Sequence, residues 1–443
     1  MGRRVVIKSL SVYMNGFLVG ALLQEASGAN TFQYDPAWLK TDGARPISLS
    51  MPLRASKYEG EVVFNFFDNL LPDNREIRER IASRFQASSL QPFDLLYEIG
   101  RDCVGALILQ PPGEPLSDLR TIRGETLDKA SLDAVLKGYL SASPYLRHES
   151  ADFRISIAGA QEKTALLHHD GQWQLPKGVT PTTHIFKLPV GKIQGHSFTL
   201  DLQESVENEW LSMLIARLYG LNVPRCDIIH TAHTRALCVE RFDRRYVADG
   251  SWIARLPQED MCQALGLSSV KKYESDGGPG ISEIMKFLLG SDNAQQDREN
   301  FMRSHILFWL LAASDGHAKN YSVALLPGGG YRLTPLYDIM SCYPLIGGRG
   351  LAKQDLKMAM SLSATGKGKK YAWQQIYPRH FLATARKCGF SEVRMGELLK
   401  EFYDKTPQVL SAARQQLPDH FPAHISDAIF TGLAQAARRL GAG

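Results

Sequence analysis

The sequence contains few cysteines and no long apolar run. The six cysteines of the 443-residue chain form no C-x-x-C pair and no metal-ligand spacing with histidine, which favours unpaired thiols in a reducing compartment. The longest strongly apolar run, Ile306 to Ala313, is less than half as long as a membrane-spanning helix. No signal-peptide cleavage site follows the basic start. We therefore expect a cytoplasmic protein.

A strong excess of charge of one sign is also absent. The formal net charge is +5 and the isoelectric point is about 8.7. This mild basicity permits contact with an anionic surface but lacks the dense basic stripe of a dedicated nucleic-acid binder. The apolar fraction of 44% and the charged fraction of 22% are ordinary for a globular protein, and the length predicts two or three domains.

Strand signals dominate the first half of the chain and helix signals the second half. Alternating residues around M-N-G predict a hairpin between Arg4 and Leu23, and a Pro/Gly-rich stretch from Gln110 to Asp118 predicts a boundary. Beyond about Ser282 helical spacing prevails. The sequence predicts an N-terminal β-rich subdomain (1–112), the remainder of a β-rich lobe (113–245) and a helical C-terminal lobe (246–443).

Two acids and an amide stand among apolar residues between Ser314 and Asp338. Asp315 and Asn320 have the D-x-x-x-x-N spacing of a kinase catalytic loop, in which the Asp orients or deprotonates a hydroxyl and the Asn holds magnesium. Two strand-like runs joined by P-G-G-G predict a hairpin that places Asn320 beside Asp338, the second metal ligand. The alternative is that all three residues cap turns or lie in loops.

Two upstream features occur in the order of kinase parts. The small residues between Ser156 and Leu166 suit a loop that covers phosphates, although an ordinary hairpin turn has the same composition. Lys187 is a lone lysine inside an apolar strand, where a kinase has its phosphate-binding lysine; the alternative is an edge-strand lysine that reaches water. Their order relative to the catalytic loop favours the kinase interpretation.

The helix after Lys187 and the strand that follows it contain further candidates. Any of three glutamates on the helix could pair with the lysine, and we expect at least two of them to be surface charges: Glu204, Glu207 and Glu209. Phe242 follows the next strand, where a kinase hinge presents an apolar side chain to adenine. The neighbouring arginines are expected to form a solvated face rather than a phosphate site: Arg241, Arg244 and Arg245.

Several long segments share one family resemblance. They are VFNFFDNLLPDN, PFDLLYEIGRDCVGAL, DFRISIAGAQEKTALL, PKGVTPTTHIFKLP, VERFDRR, LPQEDMCQ, YESDGGPGI, SDGHAKNYS and LTPLYDI. Together they closely resemble the HipA toxins, which are serine/threonine protein kinases of bacterial toxin–antitoxin modules. The catalytic loop also resembles the D-x-H-x-x-N loop of phosphatidylinositol kinases, with His317 at the histidine position. The resemblance implies an α+β, bilobal protein-kinase-like fold related to those kinases.

The resemblance also implies roles for individual residues. Asp315 would be the catalytic base in a loop with His317, Asn320 and Asp338 would hold Mg2+, and Ser156 would be an autophosphorylation site. Contacts to ATP are implied for Ala158, Gly159, Ala160, Gln161, Glu162, Lys163, Lys187, Glu240, Arg241, Phe242, His317, Ala318, Lys319, Asn320, Tyr337 and Asp338.

The resemblance finally implies partners and a substrate. The partners would be a HipB-type helix-turn-helix antitoxin dimer and, through it, operator DNA. The protein substrate would be glutamyl-tRNA synthetase, whose phosphorylation arrests growth and produces drug tolerance. Two alternatives are a catalytically silent corepressor of an antitoxin–DNA complex and a small-molecule or lipid kinase. The sequence has no lipid anchor or basic amphipathic membrane helix to support the lipid kinase.

Overall fold

The structure is a computed structural model with a mixed helix and sheet fold, as the sequence predicts. It describes residues 8–114, 116, 119–140, 161, 163–194, 199–347, 350–364 and 368–441. All six cysteines are free thiols, and four of them are buried. A helix of the length and apolarity needed to span a membrane does not occur among these residues.

The strands of the described residues are numbered in chain order. They are β1 Lys8–Met14, β2 Phe17–Gln24, β3 Asn30–Tyr34, β4 Tyr58–Glu59, β5 Leu107–Gln110, β6 Gly124–Thr126, β7 Lys163–His169, β8 Gln172–Pro176, β9 His184–Lys187, β10 Gly191–Gln194, β11 Thr199–Leu202, β12 Cys226–His230, β13 Arg235–Glu240, β14 Arg244–Tyr246, β15 Ile253–Arg255, β16 Gln258–Asp260, β17 Ser322–Leu325, β18 Tyr331–Leu333, β19 Lys357–Ser363 and β20 Lys369–Ala372.

The α-helices of the same residues follow the same convention. They are α1 Glu61–Asp68, α2 Arg75–Phe85, α3 Pro92–Ile99, α4 Lys129–Leu140, α5 Ser205–Leu218, α6 Met261–Ala264, α7 Ile281–Phe287, α8 Ala294–Leu310, α9 Pro378–Lys387, α10 Glu392–Gln415 and α11 Ala423–Gly441.

The chain folds into two compact units, each built from separate stretches of sequence. Unit 1 comprises residues 1–188, 229–269 and 322–331, and unit 2 comprises 189–228, 270–321 and 332–443. The chain therefore passes between the units several times. The contiguous ranges 1–112, 113–245 and 246–443 stay a prediction about domains.

The first sheet of unit 1 has the strand order β4-β3-β2-β1-β5. The predicted hairpin is confirmed: β1 and β2 pair antiparallel, and the turn residues Asn15 and Gly16 have φ of 46° and 94°. Such positive φ values suit a type I′ turn, which explains the Asn-Gly pair. The inward side chains of β1, Leu10 and Val12, are fully buried in a core that includes Phe66 and Phe67 of α1.

The second sheet of unit 1 has the order β12-β13-β9-β7-β8-β6. A turn at Asp170 and Gly171 joins β7 to β8, which pair antiparallel. Strand β9 lies between β13 and β7, so that Lys187 is opposite Leu237 on one side and Lys163 on the other. A short β9 with neighbours on both sides therefore holds Lys187 inside the sheet.

Helices dominate unit 2, as the sequence predicts for the second half of the chain. Helix α5 packs on α10 and α11, and α8 contacts the same two helices. Helix α5 ends at Leu218, and Gly220 follows shortly after it with φ of 88°, a left-handed conformation that favours glycine. Large apolar side chains of these helices form the core: Leu211, Ile215, Phe301, Leu307, Leu398, Phe402, Ile429 and Leu433.

Candidate active site

The predicted catalytic loop begins directly after α8 in unit 2. Its turn is closed by backbone hydrogen bonds, since His317 N donates to Asp315 O at 2.8 Å and Asn320 N donates to His317 O at 2.9 Å. Gly316 lies against the Phe308 ring, and a Cβ at this position would be 2.3 Å from its Cδ2 atom. Only glycine fits there without a shift of the loop or the ring.

Asp315 is the exposed residue of an otherwise buried loop. The five residues after it are buried. The hydroxyl of Tyr273 donates to its Oδ1 atom at 2.6 Å, and the side-chain amide of Asn320 donates to its backbone oxygen at 2.7 Å. The carboxylate is therefore fixed at one oxygen and exposed to solvent, which is the arrangement that a proton acceptor for an incoming hydroxyl requires.

Asn320 and Asp338 present oxygen atoms that suit a hard cation. Asn320 is 4% exposed, and its amide nitrogen is engaged by the Asp315 carbonyl, which leaves Oδ1 as the ligand atom of that amide. Asp338 has φ of 61°, an uncommon conformation for a residue other than glycine. An amide oxygen and a carboxylate fit the ligand preference of Mg2+.

The hairpin argument for bringing these two residues together is only partly right. Strands β17 and β18 are neighbours in a sheet, but β18 ends at Leu333, so Asp338 lies beyond the paired strands. A different contact brings the two segments together: the Tyr337 hydroxyl donates to Lys319 O at 2.9 Å. The residue next to Asp338 is thus tied to the residue next to Asn320.

His317 lies close to both carboxylates of the site. Burial lowers the pKa of its imidazole, while the charges of Asp315 and Asp338 act to raise it and that of Lys272 to lower it further. The imidazole is 5% exposed, and its Nδ1 atom is buried without a hydrogen-bond partner among the described residues. An unsatisfied buried polar atom costs free energy, so a ligand with a polar group fits here.

Lys187 of unit 1 is buried, at 7% exposure, in the middle of a six-stranded sheet. This position contradicts the alternative of an edge-strand lysine that reaches water. A buried ammonium is costly unless it is paired, and Lys187 does have an electrostatic or hydrogen-bonding partner. The burial is that expected of a lysine with a specific function.

Most of the predicted phosphate loop lies outside the described residues. This applies to Ser156, Ala158, Gly159, Ala160 and Glu162. Of the remaining two, Gln161 donates through Nε2 to the Leu188 carbonyl at 2.6 Å, and Lys163 begins β7 opposite Lys187. The end of the predicted loop is therefore attached to the strand that contains the lysine.

The predicted hinge lies at the end of β13. Glu240 is exposed and Phe242 is half-buried, whereas Arg241 is 4% exposed. All three guanidinium nitrogens of Arg241 donate to groups within unit 1: Asp102, Asp243, Thr182 and the Cys103 carbonyl. A nucleotide contact at Arg241 would have to come from its backbone.

The expectation of a solvated arginine face is wrong for two of its three members. Arg241 and Arg244 are buried, and Asp102 accepts from both and from Arg255 at 2.8–3.3 Å; only Arg245 is exposed. We call these buried side chains the Asp102 cluster: Asp102, Arg241, Asp243, Arg244 and Arg255. Sequence reasoning missed Asp102 and Arg255, whose only signal is a charge beside strongly apolar residues.

The expectation that at least two of the three glutamates are surface charges is also wrong. Glu207 and Glu209 are 5% and 4% exposed, and only Glu204, at the start of α5, is partly exposed. Both residues take part in further interactions, although the Oε2 atom of Glu207 has no hydrogen-bond partner among the described residues. Burial therefore favours Glu207 and Glu209 over Glu204 as functional residues.

Comparison with known proteins finds similarity to HipA domains and to named or putative kinases over nearly the whole chain. The model of the HipA-like C-terminal domain matches residues 155–410, and that of the HipA N-terminal domain matches residues 10–110. The protein named "Putative kinase Y4mE" of Sinorhizobium fredii is 30% identical over 424 residues, which are 94% of each chain. The serine/threonine-protein kinase toxin HipA of Shewanella oneidensis is 29% identical over 350 residues, 75% of each chain.

One solved structure shares the fold over almost its full length. It is HipA in the complex of HipA, HipB and operator DNA from the toxin–antitoxin system of Shewanella oneidensis MR-1. The TM-score is 0.80 at 24% sequence identity, and the match covers 98% of this chain and 97% of that one. The arrangement of helices and sheets described above is therefore that of a known fold.

Proposed function

The chain belongs to the HipA family of serine/threonine-protein kinases, and from this premise we propose that it is the toxin of a type II toxin–antitoxin module. It uses ATP and Mg2+ to phosphorylate a serine or threonine of a protein substrate. The observation that carries the proposal is the geometry of the predicted catalytic loop. In this loop the Asp315 carboxylate is exposed, the His317 imidazole is buried, and the charges of both Asp315 and Asp338 act on that imidazole.

In the proposed reaction Asp315 accepts the proton of the substrate hydroxyl. The hydroxyl oxygen forms a bond to the γ-phosphorus of ATP, the bond from that phosphorus to the β,γ-bridging oxygen breaks, and ADP leaves. The Oδ1 atom of Asp315 is occupied by the Tyr273 hydroxyl, so the other carboxylate oxygen receives the proton. Burial keeps the His317 imidazole neutral near pH 7, so it adds no charge beside the phosphates.

Asn320 and Asp338 are the residues that would hold magnesium. When bound, the cation would neutralise negative charge on the phosphate oxygens of ATP. The hydrogen bond from the Asn320 amide nitrogen to the Asp315 carbonyl fixes the amide, so that its oxygen is available as a ligand. Lys187, buried within its strand, would pair with phosphate oxygens, and Glu240 to Phe242 would contact the base.

We further propose autophosphorylation on Ser156 as a means of self-inhibition. A phosphoserine carries about two negative charges at neutral pH. Placed beside a site for a triphosphate, these charges would repel the nucleotide. The support is the resemblance of the segment around Ser156 to the family motif.

The proposed partners follow from the relatives. HipA of Shewanella oneidensis assembles with HipB and operator DNA, so a HipB-type antitoxin dimer and, through it, operator DNA are proposed here. Glutamyl-tRNA synthetase is the proposed protein substrate, on the family resemblance. The phosphate machinery does not encode the surface that selects a protein substrate, so this assignment needs its own test.

The deciding experiment is intact-mass spectrometry after incubation of the dephosphorylated protein with ATP and Mg2+. We expect the wild type to gain one phosphate within a short incubation and the variants Asp315→Asn and Ser156→Ala to gain none in that time; slow residual transfer by Asp315→Asn is measured in longer incubations. A matched control is Asp404→Asn, an exposed acid of α10 that pairs with Lys400; it should behave as the wild type. The same samples are then tested with glutamyl-tRNA synthetase as acceptor.

The possible outcomes separate the parts of the proposal. Phosphate gain by Ser156→Ala would leave the kinase in place and contradict the modification site. Modification of the protein itself but not of the synthetase would reject that substrate. If the wild type phosphorylates neither itself nor the synthetase, the proposed reaction is wrong and the silent corepressor gains support.

A further inference from the structure

We propose that Tyr273 is a positioning residue that holds the carboxylate of Asp315 in the orientation needed to accept the substrate proton. The inference deepens the proposed function and rests on the catalytic role given there to Asp315. It concerns the segment Val270 to Gly280, called here the 270–280 loop, which precedes α7 in unit 2 and carries none of the predicted site residues.

The first observation is the direct contact. The Tyr273 hydroxyl donates to Asp315 Oδ1 at 2.6 Å, and its ring meets the His317 ring edge to face, with centroids 4.9 Å apart and planes at 81°. A hydrogen bond to an ionised carboxylate is short and strong. Because it occupies one carboxylate oxygen, it fixes the rotation of the group and leaves the other oxygen for the substrate.

The second observation is that the loop is attached to the backbone of the catalytic loop as well. The Ala318 amide donates to the Lys272 carbonyl at 3.0 Å. Tyr273 and its preceding residue therefore contact the catalytic loop at three points: the carboxylate, the imidazole and the main chain. Because Tyr273 is held at this junction, the position of the 270–280 loop determines the orientation of the Asp315 carboxylate.

The third observation is that the 270–280 loop is itself rigidly anchored. Glu274 accepts from the Ser361 amide at 2.6 Å and from its hydroxyl at 3.0 Å, and forms an ion pair with Lys369 at 2.7 Å. The Tyr273 carbonyl accepts from the amides of Asp276 and Gly278. A Cβ at Gly278 would lie 2.0 Å from the Lys271 carbonyl oxygen, so the loop closes tightly on itself.

These contacts are those of a residue that orients the catalytic base rather than of a residue that binds the substrate. A well-placed general base requires an orientation fixed before the substrate arrives, because misplacement by about 1 Å can cost about 100-fold in rate. The hydrogen bond of Tyr273 supplies that orientation at Asp315. No atom of Tyr273 needs to enter the reaction, since the proton moves from the substrate hydroxyl to the free oxygen of Asp315.

The test is a double-mutant cycle on the rate of self-phosphorylation, measured over a range of ATP concentrations. Tyr273→Phe keeps the ring and removes only the hydroxyl, so the protein should fold. We expect its maximal rate to fall about 10-fold, as for loss of a hydrogen bond to a charged group, with the half-saturating ATP concentration unchanged within about twofold. Tyr403→Phe, an exposed tyrosine of α10, is the matched control and should retain the wild-type rate.

The cycle is closed in the background of Asp315→Asn. If Tyr273 acts through the carboxylate, adding Tyr273→Phe to that variant should change its residual rate by no more than about twofold. An equal 10-fold loss in both backgrounds would show a general structural effect and overturn the proposal. An unchanged maximal rate in the single variant would overturn it as well.

A readout without turnover keeps this inference separate from the proposed function. If the wild type transfers no phosphate, the proposed function fails, and amide hydrogen exchange of the catalytic loop decides about Tyr273. Faster exchange at His317 and Asn320 in Tyr273→Phe than in Tyr403→Phe would support the positioning role. Equal exchange in the two variants would contradict it.

Discussion

The two charged residues Asp315 and Lys187 differ in burial. Asp315 is exposed and has one oxygen held by a tyrosine, whereas Lys187 is 7% exposed inside a sheet. A buried ammonium persists where its partner or ligand compensates the loss of water. A substitution that removes the charge of Lys187 and keeps the size of its side chain is therefore the informative test.

Replacement of Lys187 by methionine should slow phosphoryl transfer strongly and leave the fold intact. Methionine has a similar length and suits the apolar strand, so the melting temperature should change little. Loss of a cation that compensates the transferring phosphoryl group should lower the rate by about 100-fold or more. Intact-mass spectrometry with ATP and Mg2+ measures the rate, and thermal unfolding measures the stability.

Lys192→Met provides the matched control for this substitution. Lys192 lies on β10 with its side chain half-exposed and pairs with Asp201 at 3.2 Å. Exposed ion pairs contribute little, so this variant should retain both activity and stability. A Lys187→Met protein that is folded and as active as Lys192→Met would refute the assignment of Lys187 to ATP.

At the residue scale the sequence offers candidates for the reactive groups but not for the groups that hold them. The spacing of Asp315 and Asn320 is local, so a motif captures it. Tyr273 lies 42 residues before Asp315 and reaches it only through the fold. Its place in a segment of glycines and charges gave no sign of a contact with the Asp315 carboxylate.

Among the secondary structure elements, the Asp102 cluster joins parts of unit 1 that are distant in sequence. Asp102 follows α3, Arg241 and Arg244 flank the turn between β13 and β14, and Arg255 ends β15. Burial alone would raise the pKa of Asp102, but the charges of Arg244, Arg241 and Arg255 outweigh it and hold the pKa well below its usual value. The carboxylate therefore stays ionised and compensates three buried cations.

Asp102→Asn should destabilise unit 1 by about 3–5 kcal/mol, because it leaves buried arginines without their counter-charge. Since the folded-state pKa lies below the unfolded value, this contribution is present above about pH 4 and is lost as the pH falls further. Urea unfolding at pH 7 and at pH 3.5 measures it: the difference between wild type and variant should shrink at the lower pH. The exposed Asp404→Asn should differ from the wild type by less than about 1 kcal/mol at either pH. A loss at pH 7 no larger than that of Asp404→Asn would contradict the role of the cluster.

Glu259 of β16 should give unit 1 a pH dependence of the opposite sign. It is fully buried; its Oε1 atom accepts from the Leu49 amide at 2.7 Å, and its Oε2 atom has no partner among the described residues. Burial raises its pKa to about 8. The folded state thus retains a proton that the unfolded chain releases near pH 4.3, so stability falls as the pH rises from about 4.3 to about 8.

Glu259→Gln is expected to remove this part of the pH dependence. The amide is neutral at every pH, so the variant should gain stability relative to the wild type as the pH is raised from 5 to 8. Urea unfolding at several pH values gives the two curves. Curves that run parallel over this range would show that the Glu259 carboxyl is ionised in the folded protein.

At the element scale, local pairings were predictable and distant pairings were not. The β1–β2 and β7–β8 hairpins are joined by Asn-Gly and Asp-Gly turns, and turn chemistry of this kind can be read in the sequence. The pairing of β5 with β1, in contrast, joins Leu107 to Met14. Nothing in a short buried strand specifies a partner so far away, since any apolar edge would satisfy its pattern.

At the scale of the whole molecule, both compact units are built from separate stretches of sequence. Residues 322–331 belong to unit 1, although the segments on both sides of them belong to unit 2. A change of composition marks a boundary only where the chain leaves a unit and does not return. Each return of the chain depends on packing between distant segments, which the composition of a short stretch does not record.

Catalysis and operator binding should be separable in the whole molecule. DNA affinity comes from lysines and arginines that neutralise phosphates, and the net charge of +5 permits such contacts. Asp315→Asn replaces an exposed acid of unit 2 by an amide of the same shape and removes no cation. We therefore expect it to lose phosphoryl transfer and yet to form the proposed complex with its antitoxin and operator DNA. Mobility-shift titrations at two salt concentrations should give affinities within about twofold of the wild type, and a loss of tenfold or more at both would show that the catalytic loop contributes to assembly.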